Sequence, residues 1–313
     1  PPAAQEAAAA RRTALEKRRT FDLTTAPQVR FHIALRSGST FQLTLAENHA
    51  IFDGWSLHST LTEIFAAYSG AAVAPPPAVA FREYVRLERE ALESPEAAAF
   101  WDRVLAELPP ADLPSWPGVA SPQAGRRVRA LRREVPPAVL SVLKTMARQA
   151  GVPVKSVLLG IHLRALSFLS GRPDVVTGLV TNGRLEESGG DDVRGLFLNT
   201  LPLRGEMQDG RSWIDLAGAT FRAEEEMLPF RRYPFAALQR RHGDRPLYEV
   251  AFNYVHFHVA RGLAEAGGLE VLAMETIEGT SFKLLVAFAQ SPAGDGLSCE
   301  LEYDSHELPD AQA

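Results

Sequence analysis

Between Val29 and Tyr68 the hydrophobic period of the chain changes from two to about 3.6, and the change falls within the stretch Glu47-Asn48-His49-Ala50-Ile51-Phe52-Asp53-Gly54-Trp55-Ser56. Upstream, Val29, Phe31, Ile33 and Leu35 alternate with Arg30, His32 and Ala34. After Arg36-Ser37-Gly38-Ser39 a second run, residues 40–46, puts Phe41, Leu43 and Leu45 on one face. This pattern predicts a β-hairpin. Downstream, Leu57, Leu61, Ile64, Phe65 and Tyr68 lie at helical spacing, with Ser56, His58, Thr60 and Glu63 on the opposite side. The segment from His49 to Gly54 is therefore a strand-to-helix connection, a place where rigid elements on both sides can hold a functional side chain.

Within that segment only His49 has an ordinary pKa, ~6.5, that allows proton exchange near neutrality. Asp53, four residues on, can fix the loop by accepting hydrogen bonds from backbone or from an arginine. Gly54 lets the backbone approach a reacting group and leaves its N–H for an oxyanion at the start of the helix. A histidine and an aspartate at this spacing do not by themselves define a reaction.

Composition narrows the classes. With 33 basic and 38 acidic residues the formal charge is −5, a mild acidity that argues against a nucleic-acid partner. The single cysteine, Cys299, excludes an internal disulfide and a thiol-based metal site, and its place in the alternation 297–303 predicts a strand cysteine. The sequence has no apolar run of membrane length and no signal-peptide pattern, so no membrane partner and a cytoplasmic location are expected.

Residues 3–19 form an Ala-rich helix pattern, and Pro27 imposes an extended entry to the hairpin. Pro75-Pro76-Pro77 is a stiff connector. Helical patterns then carry Phe81, Tyr84, Phe100 and Trp101, read as aromatic anchors to a core. Prolines and glycine recur from Pro109 to Pro122, which predicts a division into subdomains 1–120 and 121–313. The second half opens with a strand, 128–135, followed by a helix entered through Pro136-Pro137 and ended by Gly151. Residues 152–169 read as a largely buried helix in which His162 is a packed core histidine. A buried strand, 174–180, leads to Thr181-Asn182-Gly183-Arg184. Glu224-Glu225-Glu226 reads as a solvated helix face, and His256 and His258, two apart on a strand pattern, as structural rather than metal-binding.

Asn48-His49-Ala50-Ile51-Phe52-Asp53-Gly54-Trp55-Ser56 resembles the HHxxxDGWS signature of the condensation domains of nonribosomal peptide synthetases, members of the chloramphenicol-acetyltransferase-like superfamily. The second motif histidine falls on His49; the first, usually supporting, is replaced by Asn48. Phe21-Asp22-Leu23 with Ala26-Pro27, Val193 to Arg204 ("G.F.NTLPLR"), Tyr233-Pro234-Phe235 ("YPFE"), Arg245 to Tyr254 and Gly279-Thr280-Ser281-Phe282 match further family elements. Where a glutamine-aspartate pair commonly precedes "YPFE", this chain has Arg231-Arg232.

The resemblance implies an α/β fold of two chloramphenicol-acetyltransferase-like subdomains in a V-shaped pseudo-dimer with the active site in the cleft between them. It also implies a chain trimmed at both ends, because the family carries further elements before the histidine motif and after the last one matched. The implied activity is amide formation between two carrier-protein-bound thioesters. No cofactor is bound by the domain itself, the substrates being carried on phosphopantetheine arms. Partners would be the upstream and downstream carrier proteins and adjacent synthetase domains. In this reading His49 orients the attacking amine or takes its proton, with Gly54 as the oxyanion donor. Asn48, Asp53 and Arg184 support the site, with Arg184 paired to Asp53, and Trp55, Asn199 and Ser281 line the substrate tunnel. Asn199 and Thr200 either line that channel or brace the central loop, and Ser281 is nearly as readily satisfied by backbone. An ester-forming acyltransferase and a non-catalytic recruiting domain of the same fold are the alternatives.

Overall fold

A computed structural model describes residues 3–115, 127–208, 210–255, 269–273, 280–291 and 295–313. The chain divides into two compact units, one made of Pro1–Pro77, Asp192–Phe197 and Gly262–Glu278, the other of the remaining residues.

In the first unit the period-two run forms strands β1 (Val29–Leu35) and β2 (Phe41–Glu47), paired antiparallel from Val29↔Glu47 to Leu35↔Phe41. Helix α1 (Ala3–Glu16) lies against the polar side of this hairpin: Thr13 accepts from Gln42 Nε2 at 3.2 Å and Glu16 holds Arg30 at 2.9 Å. The period-3.6 run is helix α2 (Gly54–Tyr68), whose last residue packs its ring on Phe41 with centroids 6.1 Å apart. The connection between them spans residues 48–53, one residue earlier at each end than the 49–54 expected from the sequence.

The second unit is a mixed six-stranded sheet with helices. Its strands are β3 (Val128–Glu134), β4 (Asp174–Asn182), β5 (Leu198–Glu206), β6 (Val250–Val255), β7 (Leu284–Gln290) and β8 (Leu297–Asp304), in the order β3-β8-β7-β6-β4-β5. The pairs β4–β6 and β6–β7 are parallel; the rest are antiparallel. The helices are α3 (Phe81–Glu93), α4 (Pro95–Ala106), α5 (Pro137–Ala150), α6 (Val154–Ser170), α7 (Trp213–Met227) and α8 (Phe235–Arg241). Their ends follow from sequence. Ser94 caps α4 by accepting from Ala97 N–H with Pro95 next to it, and Gly151 and Gly171 close α5 and α6 at φ 67° and 68°, a conformation glycine adopts without strain. No single helix among the described residues is long and apolar enough to cross a membrane.

Residues 78–115 belong to the second unit, although the sequence groups them with the histidine motif. The cause is aromatic burial. Trp101 is fully buried in the same core as the strands, and beside it Phe100 stacks on Phe230 at 4.4 Å. The proline-rich stretch lies partly outside the described residues, 116–126; before them, Leu113 N–H donates to Glu249 Oε2 at 2.9 Å. His256 and His258 also lie outside the described residues, as does Gly279.

Helix α6 is buried on several faces as expected, and His162 sits within it. Thr177 donates its one hydroxyl proton to Val250 O, so it accepts from His162 Nε2–H at 2.9 Å, and the ring packs on Phe252. Burial pushes the His162 pKa down to about 3. The unfolded chain takes up a proton near pH 6.5 that the folded chain refuses, so this stability is complete above that pH and declines as pH falls towards 3. The slope is about 1.4 kcal/mol per pH unit. Urea unfolding at pH 7.5 and pH 5 is expected to show this loss in the wild type and a smaller one in His162→Gln.

Glu224 departs from the solvated reading given to 224–226. Its carboxylate accepts from Ser156 Oγ at 2.7 Å and pairs with Lys155 at 2.5 Å, tying α7 to the first turn of α6, while Glu225 and Glu226 are exposed. Cys299 lies on β8 as expected, and burial raises its thiol pKa.

Candidate active site

The candidate residues of the first unit are gathered on the β2–α2 connection. Asn48 stitches its base: Nδ2 donates to Gln28 Oε1 at 2.8 Å, Oδ1 accepts from Ala50 N–H at 3.1 Å, and the Asn48 N–H reaches Gln28 O at 3.0 Å. An amide side chain provides both the donor and the acceptor that this turn needs. His49 follows with its side chain 66% exposed, Nδ1 lying 3.3 Å from Glu47 Oε1. Glu47 itself is largely covered, at 13% exposure, as the last residue of β2. With Nδ1–H directed at this carboxylate, the lone pair is on Nε2. The role of Glu47 is not read from sequence, where it is only the end of an alternating strand.

Asp53 is 2% exposed and caps α2. Its Oδ1 accepts from Ser56 N–H at 2.7 Å and its Oδ2 from Phe197 N–H at 3.3 Å, while its own N–H reaches Gly195 O at 3.1 Å. Ser56, fully buried, donates to Gly195 O at 2.8 Å and accepts from Gly195 N–H at 3.0 Å. Arg194 adds an ion pair to Glu63 at 3.2 Å. A strap of residues 193–197 is thereby bound across the first turn of α2. Gly54 is the first residue of that helix and Trp55 the second; N–H groups at such positions have no acceptor within the helix.

Asp53→Ala leaves two buried N–H groups without their acceptor and is expected to cost about 2 kcal/mol. A lowered urea midpoint checks this, with Asp53→Asn intermediate because one amide oxygen still accepts.

The other expected residues lie in the second unit. Arg184 is buried just beyond β4, with its N–H on Asn182 Oδ1 at 2.9 Å and Nη1 3.4 Å from Asp191 O. Arg184 belongs to the second unit and Asp53 to the first. Asn199, on β5, donates both amide hydrogens to carbonyls, Arg231 at 3.1 Å and Tyr233 at 2.7 Å, and so braces the turn before α8. Ser281 is exposed just ahead of β7.

A family model for the condensation domain matches residues 3–310. AMB antimetabolite synthetase AmbE of Pseudomonas aeruginosa is 37% identical over 308 residues, which are 95% of this chain and 14% of that protein. Phosphinothricin tripeptide synthetase PhsC of Streptomyces viridochromogenes is 30% identical over 270 residues, 80% of this chain and 24% of that protein. The chain thus spans a small part of these curated relatives. Among solved structures, the X-domain from teicoplanin biosynthesis superposes with a TM-score of 0.79 at 19% identity, covering 94% of this chain and 70% of that one. The condensation enzyme VibH gives 0.72 at 19%, covering 98% and 73%. These likenesses establish a mixed α/β, chloramphenicol-acetyltransferase-like fold. With the family model matching nearly from end to end, the chain belongs to the condensation domain family of nonribosomal peptide synthetases.

Proposed function

We propose that the chain catalyses amide formation between a donor acyl or peptidyl thioester and the amine of an acceptor aminoacyl thioester, both held on phosphopantetheine arms of carrier proteins. The observation that carries the proposal is His49, exposed on a braced loop with Nδ1 against Glu47 and beside the first turn of α2. The acceptor nitrogen attacks the donor carbonyl carbon, and His49 Nε2 orients that amine or takes its proton. The tetrahedral oxyanion is met by the Gly54 N–H at the helix start. Collapse expels the donor thiolate, which recovers the proton, so the products are one amide and one free thiol. The thioester is already activated, and the step calls for no further cofactor. Asp53 holds Gly54 and the start of α2 in place, while Arg184 supports the site. Trp55 and Ser281 are assigned to the substrate tunnel.

Competition between a carrier-bound amine and a free alcohol for one donor thioester, read by intact mass, tests the reaction class. An amide product is expected; an ester product would assign the ester-forming alternative.

One observation favours a second reading, a recruiting domain without turnover: Asn48 stands where the family motif has a histidine. A solved X-domain of this fold is described in complex with OxyB from teicoplanin biosynthesis. Partner binding with no transfer by the wild type would establish that reading.

A further inference from the structure

The two consecutive arginines before Tyr233 are directed at one segment of backbone. Arg231, 7% exposed, donates from Nε to Asn182 O at 3.0 Å and from Nη1 to Leu228 O at 2.8 Å, and its Nη2 pairs with Glu186. Arg232 donates from Nε to Gly183 O and from Nη2 to Arg184 O, both at 3.0 Å. Three successive carbonyls, those of residues 182, 183 and 184, are therefore held by two guanidiniums. The Arg184 N–H is held as well, by Asn182 Oδ1. The arginine pair is itself anchored, since Asn199 on β5 donates to the carbonyls on either side of Arg232.

Two further features bear on what this arrangement does. A cavity of about 510 Å³ borders the segment, lined in part by Asn182, Arg184, Glu186 and Arg231. Side-chain packing does not fill that side, and the hydrogen bonds carry more of the task of fixing the backbone. Adjacent like charges in a partly buried place also oppose each other: burial first, then the neighbouring Arg231, lowers the pKa of Arg232. Such an arrangement is costly unless the donors meet acceptors of fixed geometry.

We infer that Arg231 and Arg232 are positioning residues, a clamp that fixes the backbone of residues 182–184 and so aims the Arg184 guanidinium. This inference rests on the proposed function only for the consequence to the rate; the clamp itself is independent of it. The test uses the whole chain with Arg232→Gln and Arg232→Lys and two readouts. Hydrogen exchange of the backbone amides of residues 182–192 is expected to quicken about tenfold in Arg232→Gln, less in Arg232→Lys, which keeps one charged donor. The single-turnover transfer rate is expected to fall about tenfold with the half-saturating donor concentration unchanged, and Arg232→Lys to recover part of it. If Arg232→Gln does not fold, Arg232→Lys is read in the same way. Unchanged exchange overturns the clamp. Faster exchange with an unchanged rate overturns the positioning role. If the wild type transfers nothing, the proposed function fails, and exchange alone upholds or overturns the clamp.

Discussion

The His49→Ala variant is expected to lose ~10²–10⁴-fold in single-turnover amide formation, the range typical of removing a side chain that moves a proton in the transition state. The geometry separates this loss from a folding defect. The ring is two-thirds exposed, so truncation removes little packing and the unfolding free energy measured in urea should fall by no more than about 0.5 kcal/mol. The loop is braced by the Asn48 hydrogen bonds and by the Asp53 cap of α2. A rate break between pH 5 and 8 in the wild type would mark His49 as the base, whereas a flat profile with the same mutational loss would assign it to orienting the amine. A His49→Ala form as fast as wild type contradicts both roles.

Gly178→Ala is expected to destabilise the second unit by about 3 kcal/mol or more. A Cβ at this position would lie 2.3 Å from Cε2 of Tyr248 and 2.6 Å from Cδ2, far inside van der Waals contact. The ring has little room to retreat, because Tyr248 is 6% exposed, its hydroxyl donates to Thr200 O at 2.8 Å, and Phe235 and Phe282 flank it at 5.7 and 5.8 Å. The backbone cannot yield cheaply either. Gly178 is paired with Pro202 on one side and Ala251 on the other, so its strand is held on both edges. Overpacking of this kind typically costs ~1–3 kcal/mol, and here both the side chain and the strand resist relaxation. Urea unfolding checks the value; Gly38→Ala, where an added Cβ meets nothing within 4 Å, is the neutral control. Recovery in a Gly178→Ala, Tyr248→Leu double variant would identify the ring as the cause.

The sequence discloses what local periodicity and end signals carry. The hairpin and α2 follow from apolar spacing, α5 from Pro136-Pro137 and Gly151, and the burial of α6 with His162 from a run apolar on more than one face. The histidine loop is legible for the same reason, since its flanks change period abruptly. Contacts made across long separations leave no such trace. Ser56 reads as the polar face of an amphipathic helix, yet it is fully buried because Gly195, 139 residues away, supplies both its donor and its acceptor. Glu224 reads as one of three solvated acids until Lys155 and Ser156 meet it. Residues 78–115 follow the histidine motif in sequence but belong with the sheet, because Trp101 is buried in that core. The carboxylate of Glu47 is in plain view as a residue and invisible as a partner, since a two-residue offset on a strand says only that Glu47 and His49 share a side.

The most direct measurement of the central claim is single-turnover transfer by the wild-type chain between a donor carrier protein loaded with an acyl thioester and an acceptor carrier protein loaded with an aminoacyl thioester, followed by intact mass. The acceptor carrier is expected to gain the mass of the acyl group while the donor carrier returns to its free thiol. Both carriers binding with their loads unchanged would contradict it.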